Sequence, residues 1–363
     1  MKFSLPNKSL ATLLLGLTVY AFSNWYWGFN GLYGQDAHEY LRYSRALQEF
    51  LLEGVPPGDF FWPLLYPLLG AVGGCLLGDA LIPLQLVSLF AFVGTGSFLV
   101  RWLKAEYLSK ETAVTILVVA TFCLTPFVLR ASLLIMSDAL AMFAVVGCYF
   151  AYAKYVHLGG KRWLILAALL AGCALMTRYV SFLLLLGPAL HLLVVVYKRR
   201  DWPTLFAAFA VLLLPCLPHF FLRGDELFGF LNHNYLGQWS VLHWWQRVFI
   251  RQDGQQTFLL PNIIYAFSNL FHPGYGWWMI VVVLFLKRRD LQAGIRPVLL
   301  ASLLIYSGYI AGIATQNLRF LLLTFPLWFY LLFPTILRAW QWSEKYLHQW
   351  HYGLLIPLLV IQL

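Results

Sequence analysis

The sequence predicts an all-α integral membrane protein, and three observations carry that prediction. Apolar runs of about 20 residues recur along the chain, the length at which a helix crosses a bilayer. Of the 363 residues, 61% are hydrophobic and only 11% charged, and the mean hydropathy is +0.72. The basic residues fall in short clusters between the apolar runs, where they set topology. The formal charge of +10 therefore does not point to nucleic acid. The whole chain, 1–363, reads as a single polytopic membrane domain with no separate soluble domain.

The elements follow in order. The N-terminus has signal-peptide features in Lys2, Lys8, an apolar stretch and the small residues Ala21 and Ser23. It runs on into Trp25, Tyr26 and Trp27, an interfacial belt, so an uncleaved first span at 9–28 is expected. Residues 62–77, apolar but rich in Pro and Gly, read as a half-inserted helix. Further spans are expected at 80–103, 111–130, 136–157, 162–177, 179–197, 203–221, 262–286, 297–314 and 319–340. A short terminal span at 351–363 brings the bundle to about eleven. Cys75, Cys123, Cys148, Cys173 and Cys216 form no CxxC and read as small hydrophobes.

Orientation follows from Lys and Arg. With the N-terminus inside, 17 basic residues fall inside and 8 outside, and the outer ones are all arginines: 42, 45, 130, 178, 223, 247, 251 and 319. Arginine's planar fork suits bidentate binding of phosphate or carboxylate. Two long outer loops, 30–62 and 222–261, are rich in aromatics and are expected to fold against the membrane surface as juxtamembrane helices. Within the second, 232–256 reads either as an interfacial helix with a tryptophan belt or as a surface for stacking on sugars.

Charge gathers in the first outer loop. Asp36, His38, Glu39, Arg42 and Arg45 fall within ten positions. If Asp36 starts a helix, then Asp36, Glu39, Tyr40 and Tyr43 lie near one face. One reading is a capping box, Asp36 with Glu39, and an Arg45–Glu49 surface pair. The other is a catalytic acid at the water boundary. Asp138, Arg178 and Arg319 are expected on the same outer side. A charge within a bilayer costs about 2.5–3.5 kcal/mol on insertion scales, so such residues face a bundle interior or an aqueous cavity. Asp138 could instead complement a helix N-terminus, and Arg178 could snorkel. Arg319, read as opening the tenth span, would oppose the helix dipole and so calls for an anionic partner. His38 reads as a polar surface side chain or as a phosphate or metal contact. The remaining histidines show no ligand spacing, so no metal site is assigned.

These stretches occur in a recognisable order: GQDAHEY after the first span, FWPLLYPLLGA, IMSDALAMF, ALMTRYVSF and, late in the chain, NLRFLLLTFP. Together they resemble the GT-C membrane glycosyltransferases. The nearest branch holds the ArnT-like aminoarabinose transferases, the protein O-mannosyltransferases and the bacterial RgtA/B/C/D-like enzymes. The resemblance implies a GT-C-like helical bundle with outer-face juxtamembrane helices. It implies transfer of a sugar from a polyprenyl-phosphate donor to an acceptor hydroxyl, with inversion, on the extracytoplasmic face of a bacterial inner membrane. Asp36 would be the general base. Asp138 would support Asp36 or a metal, and Arg178 and Arg319 would lie near the lipid phosphate. The family's paired acids are adjacent, whereas this chain reads Asp-Ala-His-Glu, which leaves the role between Glu39 and His38. Glu39, His38 and Tyr40 are carried as substrate-binding residues. No cofactor is assigned beyond the lipid-linked donor, and a divalent metal is left open. The partners implied are that donor, a lipid, glycan or protein acceptor, and membrane lipids.

Two other classes use similar parts. A flippase of lipid-linked glycans would use the acids as a proton relay, but the chain has no inverted repeat and its acids cluster on one side. An O-antigen ligase or polymerase would carry a longer late outer loop.

Overall fold

The computed structural model describes residues 18–19, 22–24, 26–223, 237–251, 254–277, 279–283 and 285–347. Most of the expected span 9–28 and all of 351–363 lie outside the described residues. The chain divides into two compact units, residues 1–181 with 201–219, and residues 182–200 with 220–363.

In the first unit, α1 (Gly34–Glu53) is the juxtamembrane helix expected in loop 30–62. It buries Ala37, Tyr40, Leu41, Tyr43, Ser44 and Leu47, a stripe of three- and four-residue steps. It ends at Gly54 in the left-handed region, φ +77, whose N–H bonds Phe50 O. The stripe meets α2 (Leu65–Leu77), where Gly70 and Gly74 leave room for Ser44 and Gln48. With 13 residues, α2 is about 20 Å long, too short to cross the roughly 30 Å hydrocarbon layer.

Next comes α3 (Leu81–Glu106), a helix long and apolar enough to cross a membrane. The single span expected at 111–130 is bent instead. Helix α4 (Glu111–Val118) passes through a π turn at Val119–Cys123, and α5 (Pro126–Leu133) departs at 73°. Pro126 pushes Thr125 out of the helical region, to ψ 126. Thr121 and Thr125 then bond back to the carbonyls of Leu117 and Thr121, at 2.5 and 3.0 Å. Helix α6 (Asp138–Leu158) is the centre of this unit, buried over most of its circumference. It packs on α3 and on α7 (Lys161–Leu175). After α8 (Ser181–Arg199), which belongs mainly to the second unit, α9 (Trp202–Leu213) returns against α7.

The second unit is less regular. Its described part holds α8, a short turn at Val241–Trp245, and an antiparallel hairpin of β1 (Val248–Arg251) and β2 (Gly254–Thr257). Of the stretch 232–256, residues 232–236, 252 and 253 lie outside the described residues, and 241–251 with 254–256 form this turn and hairpin rather than an interfacial helix. Helix α10 (Arg296–Gly312) packs on α8 where Gly187 meets Val298 and Ser302. The span expected at 262–286 is broken into short pieces, Asn262–Tyr265, Ser268–Leu270 and Met279–Val283. Pro273, Gly274 and Gly276 stand between them, and hydropathy does not register such breakers. The last described helix, α11 (Phe325–Leu347), starts six residues later than the expected 319, with Pro326 in the first turn, where no N–H is required.

Among the described residues, four helices are long and apolar enough to cross a membrane: Leu81–Glu106, Asp138–Leu158, Ser181–Arg199 and Trp202–Arg223. A fifth follows if the bent pair is one span. The protein is an all-α integral membrane protein, with one small hairpin among the described residues, which bear out fewer full spans than eleven. All five cysteines are free; Cys123, Cys148 and Cys216 are buried.

Candidate functional site

One end of the first unit gathers three turns from distant parts of the chain. Gly31 sits at φ +82, and its carbonyl accepts the N–H of Ile135 at 2.9 Å. The N–H of Leu65, opening α2, donates to Met176 O at 2.8 Å. Two tyrosines tighten the assembly. Tyr40 Oη lies 2.9 Å from Ser137 Oγ. Tyr66 Oη bonds Leu84 O and Ser88 Oγ, and Ser88 reaches the carbonyls of Leu134 and Met136. Tyr40 also packs edge-on to Tyr66 and Phe60, while Tyr43 stacks on Phe60. Buried polar groups in a membrane protein need internal partners, and these residues supply them.

Asp36 lies between the two anchors at Gly31 and Tyr40. It is half-buried, in the first turn of α1. The capping box expected from Asp36 and Glu39 does not form. The helix starts two residues earlier, at Gly34, and its N-cap is Tyr33, which makes no side-chain cap bond. Asp36 thus stands in the first turn, where a carboxylate complements the dipole. The Arg130 guanidinium covers the Tyr33 ring at 4.1 Å from its centroid.

Glu39 is clamped by Arg42, Nε to Oε2 at 2.8 Å and Nη2 to Oε1 at 2.5 Å, and Arg42 also donates to Asp59 O. The hydrogen bond from Arg42 holds the Glu39 carboxyl below its ordinary range. Arg45, expected to pair with Glu49, donates to both carboxylate oxygens of Asp79 at 2.8 and 3.1 Å. That bond also lowers the Asp79 pKa. The pair ties α1 to the turn after α2. His38 is exposed on α1, whereas Tyr40 is buried against Ser137.

Asp138 is the first residue of α6 and only 3% exposed. Its Oδ1 accepts a hydrogen bond from Arg178 Nη1. Arg178 is held in turn by its own backbone, whose N–H donates to Ala174 O and whose carbonyl accepts Ser181 N. Asp138 therefore does more than face a helix dipole, and Arg178 turns inward to a carboxylate. Two residues 40 positions apart form one buried ion pair at the end of the unit that also holds the Asp36 turn.

Arg319 belongs to the second unit. It does not open the long helix. It is half-buried in a 3-10 turn, Leu318–Leu322, capped by Asn317 Oδ1, which accepts Arg319 N–H at 3.1 Å. Arg319 does not oppose the dipole of the long helix, because Phe325, not Arg319, starts α11.

Ser137, Tyr66 and Ser88 also build the site; Ser137 and Tyr66 lie in IMSDALAMF and FWPLLYPLLGA, but only the fold brings their hydroxyls to Tyr40 and Ser88. Among the described residues, no group of three or more His, Cys, Asp and Glu side chains could hold a metal ion.

No protein-family model matches the sequence, and no curated protein matches it. Solved structures do. The crystal structure of ArnT from Cupriavidus metallidurans bound to undecaprenyl phosphate matches with a TM-score of 0.63 at 15% identity. The match covers 92% of this chain and 61% of that one. ArnT from the same organism in the apo state matches with a TM-score of 0.59 at 17% identity, over 93% and 61%. The chain thus spans about 61% of the length of the ArnT structures. It has an ArnT-like GT-C fold, which is a statement about architecture.

Proposed function

We propose that this protein is a membrane glycosyltransferase moving a sugar from a polyprenyl-phosphate donor to an acceptor hydroxyl. The reaction takes place on the extracytoplasmic face of a bacterial inner membrane. The observation that carries the reading is the buried Asp138–Arg178 pair at the end of the unit that holds the Asp36 turn. It occurs within a fold shared with an ArnT structure that holds undecaprenyl phosphate.

Asp36 is the general base. It takes the proton of the acceptor hydroxyl while that oxygen attacks the anomeric carbon from the face opposite the phosphate. The new glycosidic C–O bond forms as the bond from anomeric carbon to phosphate oxygen breaks, which inverts the centre. The electron pair leaves with polyprenyl phosphate, and the proton passes from Asp36 to water. Arg178 and Arg319 are each assigned to the lipid phosphate, where fixed guanidinium groups in a water-poor site stabilise developing charge. Asp138 fixes the direction of Arg178. His38 and Glu39, on the helix that carries Asp36, are assigned to the sugar or acceptor. Tyr40 supports the site through Ser137.

The test uses the purified protein with a radiolabelled polyprenyl-phosphate sugar. Release of polyprenyl phosphate is expected, and Asp36→Asn should stop it while leaving expression and folding intact. Wild-type activity in Asp36→Asn would end the general-base assignment. Movement of the intact lipid-linked sugar across vesicles without bond cleavage would replace the enzyme by a flippase.

A further inference from the structure

The turn that carries Arg319 is held by side chains from three separate places in the second unit. Tyr265, at the end of the short helix Asn262–Tyr265, contacts both backbone groups of Asn317. Its hydroxyl donates to Asn317 O at 2.5 Å and accepts Asn317 N–H at 2.7 Å. Tyr275 donates to Leu318 O at 2.5 Å. Tyr306, on α10, donates to Phe320 O at 2.8 Å. These contacts fall on residues 317, 318 and 320, on both sides of Arg319. All three tyrosines are 2% exposed or less, so their rings are fixed by packing.

Membrane burial alone requires that each carbonyl find a donor. Asn262 does that for Ile313 O at 2.7 Å. The contacts around Arg319 go further. Tyr265 closes both the donor and the acceptor of one peptide residue, which stops the turn from rotating about Asn317. Tyr275 and Tyr306 then fix the carbonyls before and after the arginine. A Tyr side chain has few rotatable bonds, so a packed ring is a stiff strut. A 3-10 turn has poorer internal hydrogen-bond geometry than an α-helix, and here outside struts hold it.

Resting on the glycosyltransferase reading, we propose that Tyr265, Tyr275 and Tyr306 are positioning residues that aim Arg319 at the phosphate of a polyprenyl-phosphate ligand. They act through the arginine and do not touch the lipid. The test is a double-mutant cycle on the full chain in detergent, with undecaprenyl phosphate as probe. Tyr265→Phe keeps the ring and loses both bonds. It should weaken undecaprenyl phosphate binding about tenfold in the wild-type background and leave it unchanged in an Arg319→Ala background, because coupled residues are non-additive. Tyr306→Phe, on the other flank, should repeat this pattern. Amide exchange at Asn317 should quicken at least tenfold in Tyr265→Phe.

A loss of affinity that persists undiminished in the Arg319→Ala background would overturn the positioning role, as would wild-type affinity in both Phe variants. A wild-type protein that fails to bind undecaprenyl phosphate would overturn the functional reading and this role with it. That outcome is distinct from the first two, which require a wild type that binds.

Discussion

Ser137 Oγ lies 2.9 Å from Tyr40 Oη, so the residue before Asp138 is held by the helix that carries Asp36. The two acids are thereby linked through one hydrogen bond between hydroxyls 97 positions apart. Removing either partner takes this bond from a buried hydroxyl, and a buried polar group that loses its bond costs about 1–3 kcal/mol. Tyr40→Phe and Ser137→Ala should each lower stability in detergent by that order, and the double variant should lose much less than their sum. Thermal unfolding of the four proteins measures this. Additive losses would show that the contact contributes nothing as a pair.

The Asp138–Arg178 pair predicts a larger effect. Arg178 has 16% of its side chain exposed and Asp138 2%. Removing one partner leaves an uncompensated buried charge, at a cost of about 3–5 kcal/mol. Asp138→Asn should lower both the unfolding temperature and sugar transfer. Replacing both residues, Asp138→Asn with Arg178→Gln, should recover stability but not activity. Recovery of both together would remove Arg178 from the phosphate site.

Gly31 predicts a backbone effect. At φ +82 a side chain is strained, and a Cβ there would lie 2.7 Å from Gln85 Nε2. Gly31→Ala should cost about 1–3 kcal/mol and displace the turn that leads to Asp36. Turnover should fall while lipid-phosphate binding by the arginines persists, as measured by initial rates and by undecaprenyl phosphate binding. A fully active Gly31→Ala would free Asp36 from dependence on this turn.

Glu39 predicts a pH dependence. The hydrogen bond from Arg42 lowers its folded pKa below the ordinary glutamate value. Its contribution is therefore fully present above that ordinary value, about 4.3. It fades as the pH falls through the lower folded value, where the folded protein also takes up the proton. The pair is partly exposed, at 51% for Arg42 and 31% for Glu39, so its worth is only about 0.2–1 kcal/mol. Acid unfolding curves of wild type and Glu39→Gln should differ at pH 6 and merge at the acid end. A gap that widens on acidification would contradict the clamp.

Regular helices were the legible part of the fold. The expected spans 80–103 and 136–157 match Leu81–Glu106 and Asp138–Leu158 within a few residues, because hydropathy reports lipid-length runs directly. It is blind to breaks. The segment 111–130 is predominantly apolar, yet Pro126 bends it, and 262–286 is cut by its Pro and Gly residues. In the site, the grouping of the Asp36 and Asp138 turns follows from an outer-side assignment based on basic residues. The partners did not follow. Arg45 finds Asp79 rather than Glu49, and Asp138 finds Arg178, because local spacing says nothing about a contact 34 or 40 residues away. The tyrosine struts around Arg319 were hidden for the same reason.

In the proposed reaction Arg178 meets the lipid phosphate with part of its charge already offset by Asp138. A guanidinium that faces Asp138 holds an anion more weakly than a bare one. In the proposed reaction the departing lipid is the more highly charged of the two phosphates, and a bare cation would keep it. In that reaction the carboxylate beside Arg178 would work against product inhibition, letting the spent carrier lipid diffuse away into the bilayer for recharging.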